Sequence, residues 1–298
     1  MGVWMRLGNR PNEGRAEVST CVRLPDGRTA CRFDRVPISG NEPAAGGQRW
    51  SVERPFAAAS TRFEGEVHVL EDPWALTDPK TAFTTSEVVG CHISLHSTGL
   101  GLGSVLGADQ ADVGRIFLPG QADHHYQHLV HTTGTVEVGE DRWRVDGLGG
   151  RDHSWGPRLW HAKLWFRWLI GAVDDGMGFM LTRGVGPDAE RRGGFLWADG
   201  TFRLVDSFEL RSGYGGPPHY PLRGAEVLIR AGRRTVTASA TPITSVPLRH
   251  IQTDPGGQKT VLRIVKSPAL WTIGGIAGAG MLEYHDRLHG GVPLGLEE

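Results

Sequence analysis

Short runs of alternating apolar and polar residues, each closed by a turn rich in Gly, Pro or Asp, recur along nearly the whole chain. A period of two is what a strand with one covered face requires, whereas a 3.6-residue period is hardly ever sustained for three turns. Residues 16–24 and 28–33 flank Pro25-Asp26-Gly27 and predict a hairpin, an Asp-Gly pair being suited to the tight turn. Strands are predicted over 62–70 and 87–95, followed by a hairpin of 124–138 with 142–146 around Gly139-Glu140-Asp141. Residues 159–173 and 178–185 meet at Asp174-Asp175-Gly176, 194–197 and 201–208 meet at Ala198-Asp199-Gly200, and 226–231 and 235–240 meet at Gly232-Arg233-Arg234. The last strands fall near 260–266 and 277–285, while 74–85 and 99–120 read as irregular. Forty-three glycines and 18 prolines in 298 residues work against long helices and suit turn-rich sheets. Antiparallel neighbours joined by short turns predict an all-β chain of closed or nearly closed barrels. The first strand series ends at Pro157, which predicts one domain over residues 1–158 and a second over 159–298.

Charge narrows the function. With 32 basic and 33 acidic residues the formal net charge is −1, so no field steers the chain toward nucleic acid or an anionic membrane. Cys21, Cys31 and Cys91 are an odd set without CxxC spacing, which fits neither a disulfide framework nor a structural zinc cluster. The N-terminal residues lack the charged-then-apolar pattern of a secretory signal, and Ile273–Met281 is too short and glycine-rich for a membrane helix. The expectation is a cytoplasmic protein with reduced thiols, no cofactor and no membrane span.

The most unusual stretch is Gly147-Leu148-Gly149-Gly150-Arg151-Asp152-His153-Ser154-Trp155-Gly156-Pro157-Arg158. Glycines let a backbone turn sharply and approach a ligand, and here two acid–base groups, Asp152 and His153, follow them directly. Trp160, Trp165 and Trp168 come next, and in an extended strand Trp160, Leu164, Phe166 and Trp168 share one face, with His161, Lys163, Trp165 and Arg167 on the other. Apolar walls beside Asp152 would raise its pKa and make it an acid near neutral pH. The bland alternative is an Asp that caps backbone N–H groups in a glycine-rich turn, beside tryptophans that merely pack.

The segment around Arg151-Asp152-His153-Ser154-Trp155-Gly156-Pro157-Arg158 and the tryptophans after it resemble an uncharacterised bacterial family related to the carotenoid 1,2-hydratases. That larger group includes AttH-like proteins, kievitone hydratase and lipocalin-like Diels–Alderases. Arg6-Leu7-Gly8-Asn9-Arg10-Pro11-Asn12-Glu13-Gly14, Leu24-Pro25-Asp26-Gly27-Arg28 and Glu283-Tyr284 carry the same resemblance across nearly the whole chain. The resemblance implies two lipocalin-like antiparallel (calycin-type) β-barrel domains packed together, an apolar site near their junction, and no metal or redox cofactor. It implies Asp152 as proton donor, His153 as the neighbour that orients it, and Trp155, Trp160, Trp165 and Trp168 as π faces for a carbocation. Because Arg6 stands so near the start, the first domain is expected to lack its first strand.

Other constellations are weaker. His124, Tyr126 and His128 share one face of a strand and could bind zinc or iron, but no carboxylate completes a metal set, and Tyr126 and His128 read better as pocket residues, with His161. Glu283 and Tyr284 close the last strand, Glu283 as a candidate base and Tyr284 as a binding residue, unless this is an ordinary strand end. Gly99-Leu100-Gly101-Leu102-Gly103 lacks the helix and distal acid of a nucleotide loop, and no Gly-x-Ser-x-Gly elbow occurs. Three functions therefore stay open: a cofactor-independent hydratase, dehydratase, isomerase or cyclase acting on an isoprenoid- or polyketide-like molecule, a non-catalytic carrier of such a hydrophobic molecule, and a pericyclic catalyst. A homodimer is compatible with each.

Overall fold

The computed structural model describes residues 1–297 except 101–104, 107–113, 122, 158, 160–162, 175, 254–256 and 258. By its contacts the chain divides into two units, Met1–Thr98 with His131–Gly147 and Gly99–Val130 with Leu148–Glu298. This interleaved division differs from a single cut near residue 158. In chain order the first sheet contains β1 (Gly2–Arg10), β2 (Arg15–Arg23), β3 (Thr29–Pro37), β4 (Ala44–Ala45), β5 (Gln48–Arg54), β6 (Ala58–Leu70), β7 (Glu87–Gly99), β8 (Val105–Leu106), β9 (His124–Val138) and β10 (Asp141–Trp155). The second contains β11 (Trp165–Ala172), β12 (Met177–Val185), β13 (Glu190–Ala198), β14 (Thr201–Leu204), β15 (Ser207–Tyr214), β16 (Leu222–Ala231), β17 (Arg234–Pro242), β18 (Val246–Thr253), β19 (Lys259–Ile273), β20 (Ile276–His289) and β21 (Val292–Pro293). The chain is all-β, and its registered strand pairs are antiparallel.

In the first sheet the hydrogen-bonded order is β1-β2-β3-β6-β7-β9-β10, with β5 beside β6, β4 beside β5 and β8 beside β9. The Asp-Gly turn joins β2 to β3 as the sequence predicts, and Cys21 and Cys31 face each other across that pair as buried cysteines. Burial pushes the Cys31 and Cys91 thiols up to about 12, so neither is a ready thiolate. The first unit's core is built from alternate residues, among them Val22, Ala30, Phe63, Val67, Ile93 and Val136. Residues 74–85 are not irregular. A 3-10 turn, Pro73–Thr77, and helix α1, Pro79–Thr85, occupy them, with the Asp72 and Asp78 carboxylates accepting from Trp74 N and Thr81 N.

The second sheet runs β14-β13-β12-β11-β20-β19-β17-β16-β15. Its two ends are consecutive in the chain. Val205 N donates to Gly194 O on β13, and Asp206 N donates to Arg230 O on β16, so adjacent residues bridge the ends. Residues 201–208, expected as one strand, are therefore split where the chain passes from one end to the other. One face of the strands gathers a single apolar cluster that includes Leu169, Phe179, Leu196, Ile229, Trp271 and Leu282. The opposite face of β11, β12 and β13 is covered too, through Phe166, Ile170, Met180 and Phe195 packed with Leu100, Phe117 and Leu129. Burial on both faces explains the unbroken apolar stretches within them, at residues 168–172, 177–181 and 195–198. Arg167, fully buried, donates to Asp286 at 2.9 Å and to Gly295 O at 2.6 Å, and lies over the rings of Trp165 and Tyr284 at 5.0 and 4.5 Å.

Candidate functional site

The glycine-rich stretch does not turn. Residues 147–155 continue β10, and the glycine at 150 serves close approach, because a Cβ there would stand 2.0 Å from Ile170 Cδ1. Extended backbone alternates its side chains, which puts Arg151, His153 and Trp155 on one face and Asp152 and Ser154 on the other. On the neighbouring strand β9 the same rule groups His124, Tyr126 and His128.

These two sets meet. His124 stacks on Trp155 with ring centroids 4.9 Å apart and planes 10° from parallel. Tyr126 meets His153 edge-on at 5.5 Å, Trp155 edge-on at 6.4 Å and His128 at 6.2 Å. Arg151 Nη1 donates to the Tyr126 hydroxyl at 3.0 Å, and its guanidinium carbon lies 5.7 Å from that ring's centre. Burial, then the Arg151 charge, pushes the His128 imidazole down to about 4, against a weaker upward pull from Asp152. The same three influences, in the same order, hold His153 below its ordinary value, although its surface is open to solvent. Both rings are thus neutral at pH 7, and a neutral imidazole can accept a proton. Chemically the face offers a reachable base, a fixed positive charge, a polarised phenol and a flat aromatic platform.

The other sequence candidates lie elsewhere. Asp152 is exposed on the opposite face of β10, so the apolar walls expected to surround it do not. Trp165 packs with Arg167 and Arg183, and Tyr284 is buried with its hydroxyl 2.7 Å from Ser212 Oγ, both within the packing around Arg167. Trp168 hydrogen-bonds Gln127 through its indole N–H. Glu283, directly across from Trp168, pairs with Lys266 and lies 2.6 Å from His285 Nε2. Trp160 and His161 lie outside the described residues. Arg151, Gln127, Lys266 and His285, which the structure sets beside these candidates, are not singled out by the sequence. Arg151 could have been found, since it alternates with His153 and Trp155; Gln127 and Lys266 meet their partners only through long-range pairing. Among the described residues no three or more His, Cys, Asp or Glu side chains are grouped to share a metal ion, and no helix is long and apolar enough to cross a membrane.

No curated protein matches the sequence. Solved structures are similar to it. An AttH-like protein of Nitrosomonas europaea is similar at 13% identity with a TM-score of 0.52, over 91% of this chain and 86% of its own. CghA, solved with Sch210972, matches at 13% identity and a TM-score of 0.49, over 95% and 87%. Kievitone hydratase from Nectria haematococca matches at 10% and 0.41, over 91% and 83%. The likeness to the Nitrosomonas europaea protein shows a shared fold. Residues 1–288 match one sequence family throughout, and the chain belongs to that family, described as a domain of unknown function, DUF7064.

Proposed function

We propose that this protein is an acid–base catalyst of the lyase or isomerase type, a hydratase, dehydratase or cyclase working on an apolar isoprenoid- or polyketide-like molecule. The catalytic face is that of Tyr126, His128, Arg151, His153 and Trp155, and the sheets carrying it are read as lipocalin-like barrels. One observation carries the reading: an accessible imidazole, kept neutral, stands edge-on to a tyrosine that is hydrogen-bonded to a guanidinium. His153 carries the proton. Asp152, one residue away on the other face, tunes it through charge rather than donating directly. His128 is too weakly basic and too buried to exchange protons with substrate, and it spaces the site. Trp155, 47% exposed and stacked on His124, offers the flat surface on which an apolar skeleton settles.

The test is mass spectrometry of linear isoprenoids and polyenes, with carbonyl-bearing analogues, incubated with the protein in deuterated water. Wild type should place deuterium on carbon, or gain or lose water, Asp152→Asn should retain turnover and His153→Gln should lose at least about tenfold of it. Equal turnover by His153→Gln would remove His153 from the mechanism. Compounds bound but never changed would leave a carrier, for which the exposed Trp155 platform suffices.

A further inference from the structure

Arg151 has more capacity than its single neutral partner uses. Its Nη1 donates to Tyr126, its Nε is buried with no hydrogen-bond partner, and among the described residues it forms no ion pair with a carboxylate. A half-buried guanidinium loses hydration, and a negative charge is what restores the balance. The same cation stands beside the base, where it would repel a carbocation and hold an oxyanion. Two substrate chemistries suit an acid–base face, protonation of a bare alkene and deprotonation beside a carbonyl, and the fixed charge separates them.

We infer that the substrate bears a carbonyl next to the reacting carbon, its oxygen received by Arg151 and the Tyr126 hydroxyl while His153 moves the proton. This rests on the acid–base reading above and narrows it. In the first step the His153 nitrogen bonds the α-proton, and the C–H electron pair becomes a carbon–carbon double bond. The carbonyl π pair moves to oxygen and leaves an enolate against the guanidinium. From a β-hydroxy carbonyl, loss of the β-hydroxyl with the imidazolium proton releases water and restores the neutral ring. From a β,γ-unsaturated carbonyl, return of the same proton to the γ-carbon completes an isomerisation. Tyr126, accepting from Arg151, is polarised as a donor to the oxygen.

The probe is a cyano-substituted naphthol, a flat apolar phenol whose anion absorbs at longer wavelength than the neutral form. At a pH where the free compound is mostly neutral, wild type should bind it as the anion. Arg151→Gln and Tyr126→Phe should each weaken that binding about tenfold while leaving 2-methoxynaphthalene binding within about twofold. Binding of the neutral form, or anion binding unchanged in both variants, overturns the inference. Run beside it, deuterium exchange separates the two claims. Exchange confined to carbonyl-free alkenes refutes the carbonyl while sparing acid–base catalysis, and anion binding without exchange on any compound refutes the catalysis while sparing the oxyanion site.

Discussion

His153 and Asp152 are adjacent in sequence but face opposite ways, and that alternation sets what each can do. With neutral His153 as the proposed base, turnover should fall as pH drops through its depressed pKa, below the ordinary 6.5. Asp152 raises the proton affinity of both His128 and His153. Asp152→Asn should therefore move the acid limb of the pH–rate profile to lower pH; loss of turnover at every pH would instead make Asp152 the proton donor. His128 predicts a stability effect. Its folded-state pKa is about 4 against 6.5 in the unfolded chain, so acid first protonates the unfolded state. Stability should be full above about pH 6.5 and should decline as pH falls toward 4, by about 3 kcal/mol in total. Urea titrations at several pH values should show this slope, and His128→Leu should flatten it. Residue types and spacing single the motif out as a candidate site. Which of its two titratable groups meets the tyrosine depends on β10 staying extended, and three glycines disguised that.

At the scale of elements, Gly147, Gly149 and Gly150 read as a turn because glycine most often marks one. At Gly150 the cause is packing, and Gly150→Val should cost about 1–3 kcal/mol through overpacking against Ile170, measured as a lower thermal midpoint. Helix α1 escaped notice because seven residues are too few to show a helical period, and its Asp78 cap also fits a turn. The split at Val205 and Asp206 was hidden for another reason. A chain passing from one strand to the next keeps its alternation, and only the hydrogen bonds to Gly194 and Arg230 reveal the change of neighbour. Hairpins with strong turn residues, such as those at Pro25-Asp26-Gly27 and Gly139-Glu140-Asp141, were readable because local chemistry alone decides them.

For the molecule as a whole, composition and period establish an all-β chain, and long-range pairing establishes everything that assembles the site. Arg167 shows the difference. The sequence places it on a strand face with Trp165 and no more, whereas it is fully buried on Asp286 and Gly295, more than a hundred residues away. Asp286→Ala leaves that guanidinium buried and uncompensated, and should destabilise the protein by about 3–5 kcal/mol in chemical denaturation. A surface exchange such as Glu209→Ala, which breaks only an exposed pair with Arg230, should change stability by less than about 1 kcal/mol. In the proposed chemistry His153, on the face it shares with Tyr126 and Arg151, moves a proton to and from carbon. The most direct measurement is deuterium incorporation from heavy water into apolar carbonyl compounds, followed by mass spectrometry for wild type and His153→Gln. Wild type should incorporate label at the carbon beside the carbonyl, and the variant should slow this by about a hundredfold. Equal incorporation by both proteins, or none by wild type, would contradict that role for His153.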